Sequence, residues 1–130
     1  MTTRPENATA DETLRGVGWI AERGAGWTTA SHPVGKWSQS ELTYAITDDE
    51  FEALRRQPGC YLEISNRYNR IRGDGWWAER EECAYICLQE KRFGKTVFFY
   101  VPNEAFDQLR DDPGLLDAVR AEYEASGRFR

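Results

Sequence analysis

The chain has 130 residues, a formal net charge of −5, and 40% hydrophobic and 13% aromatic residues. That length fits one compact domain, the acidic balance disfavours tight binding to a nucleic-acid backbone, and no run approaches the roughly 18 apolar residues of a membrane helix. Cys60, Cys83 and Cys87 are odd in number and the polar start Met1–Glu12 lacks the apolar stretch of a secretory leader, so a soluble, cytoplasmic protein with reduced thiols is expected, away from any membrane.

Residues 1–13 have too few apolar side chains to order themselves and read as a disordered segment, leaving 14–130 as a single α+β domain. Trp19–Arg23 and Trp27–Ser31 flank Gly24-Ala25-Gly26 and read as a β-hairpin with a three-residue turn. Leu42–Ile46 alternates loosely and reads as a short strand after a loop. Thr47-Asp48-Asp49-Glu50 is a capping box. Ile46 and Phe51 staple it, acids open the helix and Arg55-Arg56 close it, so a helix is predicted over 48–57, ended by Pro58-Gly59. Cys60–Ile64 reads as a strand, Asn66–Arg72 as irregular, and Gly73-Asp74-Gly75 as a turn.

The segment Trp76–Glu90 is ambiguous. Trp76, Cys83 and Cys87, with Trp77, Ala84 and Leu88, make a helical face and predict a helix over 77–88; Tyr85–Leu88 paired with Thr96–Val101 makes a hairpin instead. Val97–Val101 is continuously apolar and reads as a buried central strand. Asn103 is placed to cap a helix over 104–110, and Asp112-Pro113 to open a last one that ends at Gly127. No internal repeat is evident. The expected fold is a small antiparallel sheet, built from Trp19–Ser31, Leu42–Ile46, Cys60–Ile64 and Thr96–Val101, covered by three to four helices.

His32 is the only histidine and sits in a hydroxyl-rich stretch, Gly26-Trp27-Thr28-Thr29-Ala30-Ser31-His32-Pro33, so it is the side chain whose charge is most readily switched near neutral pH. His32 and Ser31, with Glu79 and Glu82 three apart on the expected helix, make a candidate acid–base or metal-dependent site. Ser31 and His32 cannot act as a nucleophile–base pair on a strand, where neighbours face opposite ways. Cys60 with His32 would be a thiol–imidazole pair, and Cys83 with Cys87 half a zinc site. The plainer readings are a loop histidine, buried thiols and solvated acids. The second candidate is basic and aromatic: Arg67, Tyr68, Arg70, Arg72, Trp76 and Trp77, the residue types that dominate binding hot spots. Its arginines either meet a partner or lie on the domain's own aromatic rings.

Gly26–Val34, followed by Gly75-Trp76-Trp77-Ala78-Glu79-Arg80, resembles DUF7007, a family of small phage and mobile-element proteins with a Thr/Ser-rich strand ending in a His-Gly-Gly-like turn and a Trp-Tyr-Glu-Glu-Asp-like segment. Pro33-Val34 replaces the paired glycines here, and Ala78 and Arg80 interrupt the acidic run. The resemblance implies a setting in which the partner is host or defence machinery, inhibited by occlusion. The residues themselves point to a non-enzymatic module that binds another protein through the basic-aromatic patch, without a cofactor or a metal, and with nucleic acid as the less favoured partner. The alternative is a small enzyme or metal-dependent site centred on His32 with Glu79 and Glu82.

Overall fold

The computed structural model describes residues 4–35, 37, 40–90 and 95–123. The chain divides into two compact units, residues 1–65 and 66–130. Among the described residues the fold is α+β, with two four-stranded antiparallel sheets and four α-helices.

The first sheet runs in chain order through β1 (Glu12–Gly16), β2 (Trp19–Gly24), β3 (Trp27–Val34) and β4 (Ser40–Ala45). Then come α1 (Asp48–Arg56), a 3-10 turn (Pro58–Cys60) and α2 (Tyr61–Asn69), which carries the chain into the second unit. The registers Leu14↔Ala21, Ala21↔Ala30 and Ala30↔Tyr44 put these side chains on one face. Buried Trp19, Ala21, Ala30 and Tyr44 join Ile46, Phe51, Leu54, Tyr61 and Ile64 in the core. Helix α1 starts where the sequence says it should. Thr47 Oγ1 accepts from Glu50 N at 3.1 Å, and Glu50 Oε1 accepts from Thr47 N at 2.9 Å.

The second sheet repeats this order with β5 (Arg70–Gly73), β6 (Trp76–Arg80), β7 (Ala84–Glu90) and β8 (Lys95–Val101), followed by α3 (Asn103–Asp111), a 3-10 turn (Pro113–Leu115) and α4 (Leu116–Tyr123). Its core holds Ile71, Trp76, Ala78, Ile86, Leu88, Phe99, Phe106, Leu109 and Val119.

The two units are one plan used twice. Arg15-Gly16-Val17-Gly18-Trp19-Ile20-Ala21-Glu22-Arg23 and Arg72-Gly73-Asp74-Gly75-Trp76-Trp77-Ala78-Glu79-Arg80 differ only at Val17/Asp74 and Ile20/Trp77. Phe51, Leu54, Arg55, Pro58 and Gly59 recur as Phe106, Leu109, Arg110, Pro113 and Gly114. The structure gives several of these repeated residues the same task. Gly18 and Gly75, at φ 78° and 77°, turn the first hairpin of each unit in a backbone region that favours glycine. A Cβ on Gly16 would come within 2.0 Å of the Trp19 indole, and one on Gly73 within 1.9 Å of Trp76. Each tryptophan therefore lies across a glycine of the neighbouring strand, which makes room for the largest side chain in a thin layer. Arg23 lies 4.4 Å from the Phe51 ring centroid and pairs with Glu52 at 2.8 Å. Arg80 lies 5.0 Å from that of Phe106 and pairs with Asp107 at 2.6 Å.

Several expectations are corrected. The single sheet is two sheets, and the expected absence of a repeat gives way to a twofold use of one plan. The helix expected over 77–88 is the hairpin β6–β7, because burial alternates: Trp76, Ala78 and Arg80 are buried while Trp77 and Glu79 are half-buried. The strand expected at Cys60–Ile64 is a 3-10 turn and the start of α2, in which Tyr61, Ile64 and Ser65 turn inward at helical spacing. Val97–Val101 belongs to an edge strand, since β8 is last in its sheet. The hairpin expected from Trp19–Arg23 and Trp27–Ser31 turns on two residues, Gly24 pairing with Trp27. Asn103 opens α3 with Pro102 at the cap position, whereas Asp112 does accept from Gly114 N at 3.0 Å. Gly127 lies outside the described residues. Among the described residues no helix is long and apolar enough to cross a membrane.

Candidate functional site

The face of the second sheet opposite α3 and α4 gathers side chains that the core does not use. The registers Arg72↔Trp77, Trp77↔Cys87 and Cys87↔Phe98 run across it, with Arg70↔Glu79, Glu79↔Tyr85 and Tyr85↔Tyr100 alongside. Every strand of the sheet contributes. Trp77, Tyr85 and Phe98 are half-buried and Tyr100 is 46% exposed. Phe98 packs edge-on against both neighbours, with centroids 6.4 Å from Tyr85 and 5.6 Å from Tyr100. The result is an aromatic surface flanked by Arg70 and Arg72.

One carboxylate organises its polar end. Glu79 accepts from Arg70 Nη2 at 2.7 Å and from Tyr85 Oη at 2.9 Å. Burial works against the Glu79 charge, but the bonds from Arg70 and Tyr85 and the charges of Arg70 and Arg72 prevail and hold it below the usual carboxylate value. Burial, with the bond to Glu79, pushes the Tyr85 hydroxyl up, and burial chiefly raises the buried Cys87 thiol. Both stay protonated at neutral pH, so this surface offers hydroxyl, thiol and aromatic groups with two arginines and one compensated acid.

The predicted contact residues separate. Arg70, Arg72 and Trp77 lie on this face. Trp76 points the other way into the core at 9% exposure. Arg67 and Tyr68 lie at the end of α2, where the Tyr68 carbonyl accepts from Arg80 Nη2 and Arg110 Nη1 and the Arg110 guanidinium lies 5.5 Å from the Tyr68 ring centroid. Trp76 and Trp77, adjacent on β6, take opposite faces of the sheet. Tyr85, Phe98 and Tyr100 are the members that sequence reasoning missed. Their signal is the alternation Thr96-Phe98-Tyr100 against Val97-Phe99-Val101, hidden because both sets are largely apolar.

His32 sits in the first unit, on the core face of β3. Its Nδ1 lies 2.5 Å from Tyr61 Oη, and Tyr44 Oη donates to Tyr61 Oη at 2.8 Å. Tyr61 stacks on Trp19 with centroids 5.2 Å apart and planes 2° from parallel. Burial, then the Tyr44 bond, raises the Tyr61 hydroxyl far above its ordinary value. Tyr61 therefore keeps its proton at neutral pH. Ser31 follows the opposite face of β3. Glu79 is engaged on β6, and Glu82 lies in the turn between β6 and β7. Among the described residues no three His, Cys, Asp or Glu side chains are grouped to hold a metal ion. Cys60, Cys83 and Cys87 are free thiols. No protein-family model, no curated protein and no solved structure matches the chain.

Proposed function

We propose that the protein is a non-enzymatic binding module whose contact surface is the aromatic outer face of the second sheet, with another protein as its partner. One observation carries the reading. The positions of Trp77, Tyr85, Phe98 and Tyr100 are filled in the first sheet by Ile20, Thr29, Thr43 and Ala45, which the registers make equivalent. The same backbone plan forms without aromatics there, so folding does not demand them. Aromatic rings beside arginine are the side chains that carry most binding energy at protein interfaces. The compensated Glu79 and the overall acidity weaken the case for a phosphate backbone as the partner.

The test is capture of a partner by the full chain, followed by affinity measurements on variants. Trp77→Ala and Tyr100→Ala should each weaken binding by about 2 kcal/mol or more, roughly thirtyfold, if they are hot spots. Ile20→Ala, on the first sheet, should leave binding unchanged. Affinity that falls steeply with salt would assign the surface to nucleic acid instead. Affinity that is indifferent to Trp77 and Tyr100 would remove this face from the function.

A further inference from the structure

Each sheet has two edges, and the protein treats them differently. An edge strand exposes a row of backbone donors and acceptors that can template another strand, and natural edges are blunted by charges, proline or shortness. β1 carries Glu12 and Arg15, β4 carries Glu41, and the four-residue β5 carries Arg70 and Arg72. β8 is the least guarded. It is seven residues long, ends its sheet and pairs with β7 alone among the described strands; its one charged residue, Lys95, stands at its first position, and from Thr96 to Val101 it has neither a charge nor a proline.

We propose that β8 is a self-pairing edge, at which two copies of this chain join their second sheets into one continuous antiparallel sheet. The occupant is specified by the strand itself. A twofold axis at Phe98, perpendicular to the sheet, sets Thr96 opposite Tyr100 and Val97 opposite Phe99. The inward row then meets an inward row, Val97 and Phe99 extending the apolar layer beneath the helices. The outward row meets an outward row, Phe98 and Tyr100 of each copy extending the aromatic face. No like charges are opposed between Thr96 and Val101, whereas antiparallel self-pairing of β5 would crowd its arginines along a short edge. Because each chain offers one such edge, the contact is isologous and closes at two copies without growing into a fibre. The partner-binding face is then doubled on one side of the joined sheet. This inference rests on the edge alone and stands whether or not the aromatic face binds another protein.

The test is sedimentation velocity of the full chain over a concentration series. The wild type should show a reversible monomer–dimer equilibrium with no larger species. In the combined Thr96→Lys, Tyr100→Lys variant the introduced lysines face each other twice across the axis, which should raise the dimer dissociation constant at least about tenfold. Thr43→Lys, on the edge strand β4 of the first sheet, should leave the dimer as it is. Circular dichroism checks that the variants are folded. If the double variant unfolds, hydrogen exchange on the wild type decides: outward β8 amides should be protected when concentrated and lose protection on dilution. A wild type that is monomeric throughout, a dimer unaffected by folded lysine variants, or β8 protection that ignores dilution would each overturn the proposal.

Discussion

The first and second units agree wherever folding is at stake and diverge elsewhere. Both place a tryptophan across a strand glycine, an arginine over a helix phenylalanine, and a Pro-Gly turn between two helices. They part company inside and outside. In the interior, His32, Tyr44 and Tyr61 form a bonded polar trio where the second unit has Leu88, Phe99 and Leu116. On the outer face of the sheet, Ile20, Thr29, Thr43 and Ala45 stand where the second unit displays four aromatics. The outer face of the first sheet is used differently: Trp27 is only 4% exposed, with the Arg4 guanidinium 5.3 Å from its ring centroid. What the two units share is what the plan requires, and what they do not share is open to function.

The strongest way to break the equivalence is in the two cores. Phe51→Ala and Phe106→Ala remove rings that are fully buried, and each should cost about 3–5 kcal/mol in chemical denaturation. Similar losses support equivalent roles, and a large loss in only one would separate the units.

The glycine–tryptophan contacts come next. Gly16→Ala and Gly73→Ala force a methyl group into an indole and should each destabilise by about 1–3 kcal/mol. Gly59→Ala, which meets nothing within 4 Å, should leave the denaturation midpoint close to wild type.

The polar trio sharpens the contrast. Tyr61→Leu removes the bonds to Tyr44 and His32 and the stack on Trp19 and should cost about 1–3 kcal/mol. Converting all three to the residues of the second unit, with His32→Leu, Tyr44→Phe and Tyr61→Leu together, removes both ends of each bond within the trio. It should cost less than the sum of the single changes. A full additive loss would mean that the three hydroxyl and imidazole groups act independently.

The smallest of these effects concerns helix starts. Thr47→Ala removes a side-chain cap that α1 possesses and should cost about 1 kcal/mol. Asn103→Ala should cost little, because α3 begins without a side-chain cap.

These differences explain what could be read from the amino-acid order. Helix α1 was legible because its instructions are local: Thr47 and Glu50 are three residues apart and act on each other. The hairpin β6–β7 was not, because its inward row Trp76-Ala78-Arg80 ends in a buried arginine, whose partners Asn69 and Asp107 are distant in sequence. An apolar count treats Arg80 as solvent-facing and breaks the alternation. β1 has Leu14 as its one large apolar residue and shows itself only through pairing with β2. Helix α2 buries Ser65 and Asn69 with Tyr61 and Ile64, so its helical stripe is half polar. Of the proposed contact surface, Arg70, Arg72 and Trp77 were legible from residue type, while Tyr85, Phe98 and Tyr100 needed the register of β7 and β8. The repeat itself is visible in the Arg-Gly-x-Gly-Trp segments once the two hairpins are aligned, but reading 77–88 as a helix hides it.

The central claim is that the aromatic face of the second sheet serves recognition and not folding. The most direct measurement gives that face the residues of the first sheet, combining Trp77→Ile, Tyr85→Thr, Phe98→Thr and Tyr100→Ala, and follows cooperative unfolding and partner binding in the same preparation. The account predicts a protein that still unfolds cooperatively, with cross-strand losses of about 1 kcal/mol or less per position, and that no longer binds its partner. A second unit that fails to fold, or a folded variant that binds as the wild type does, would contradict it.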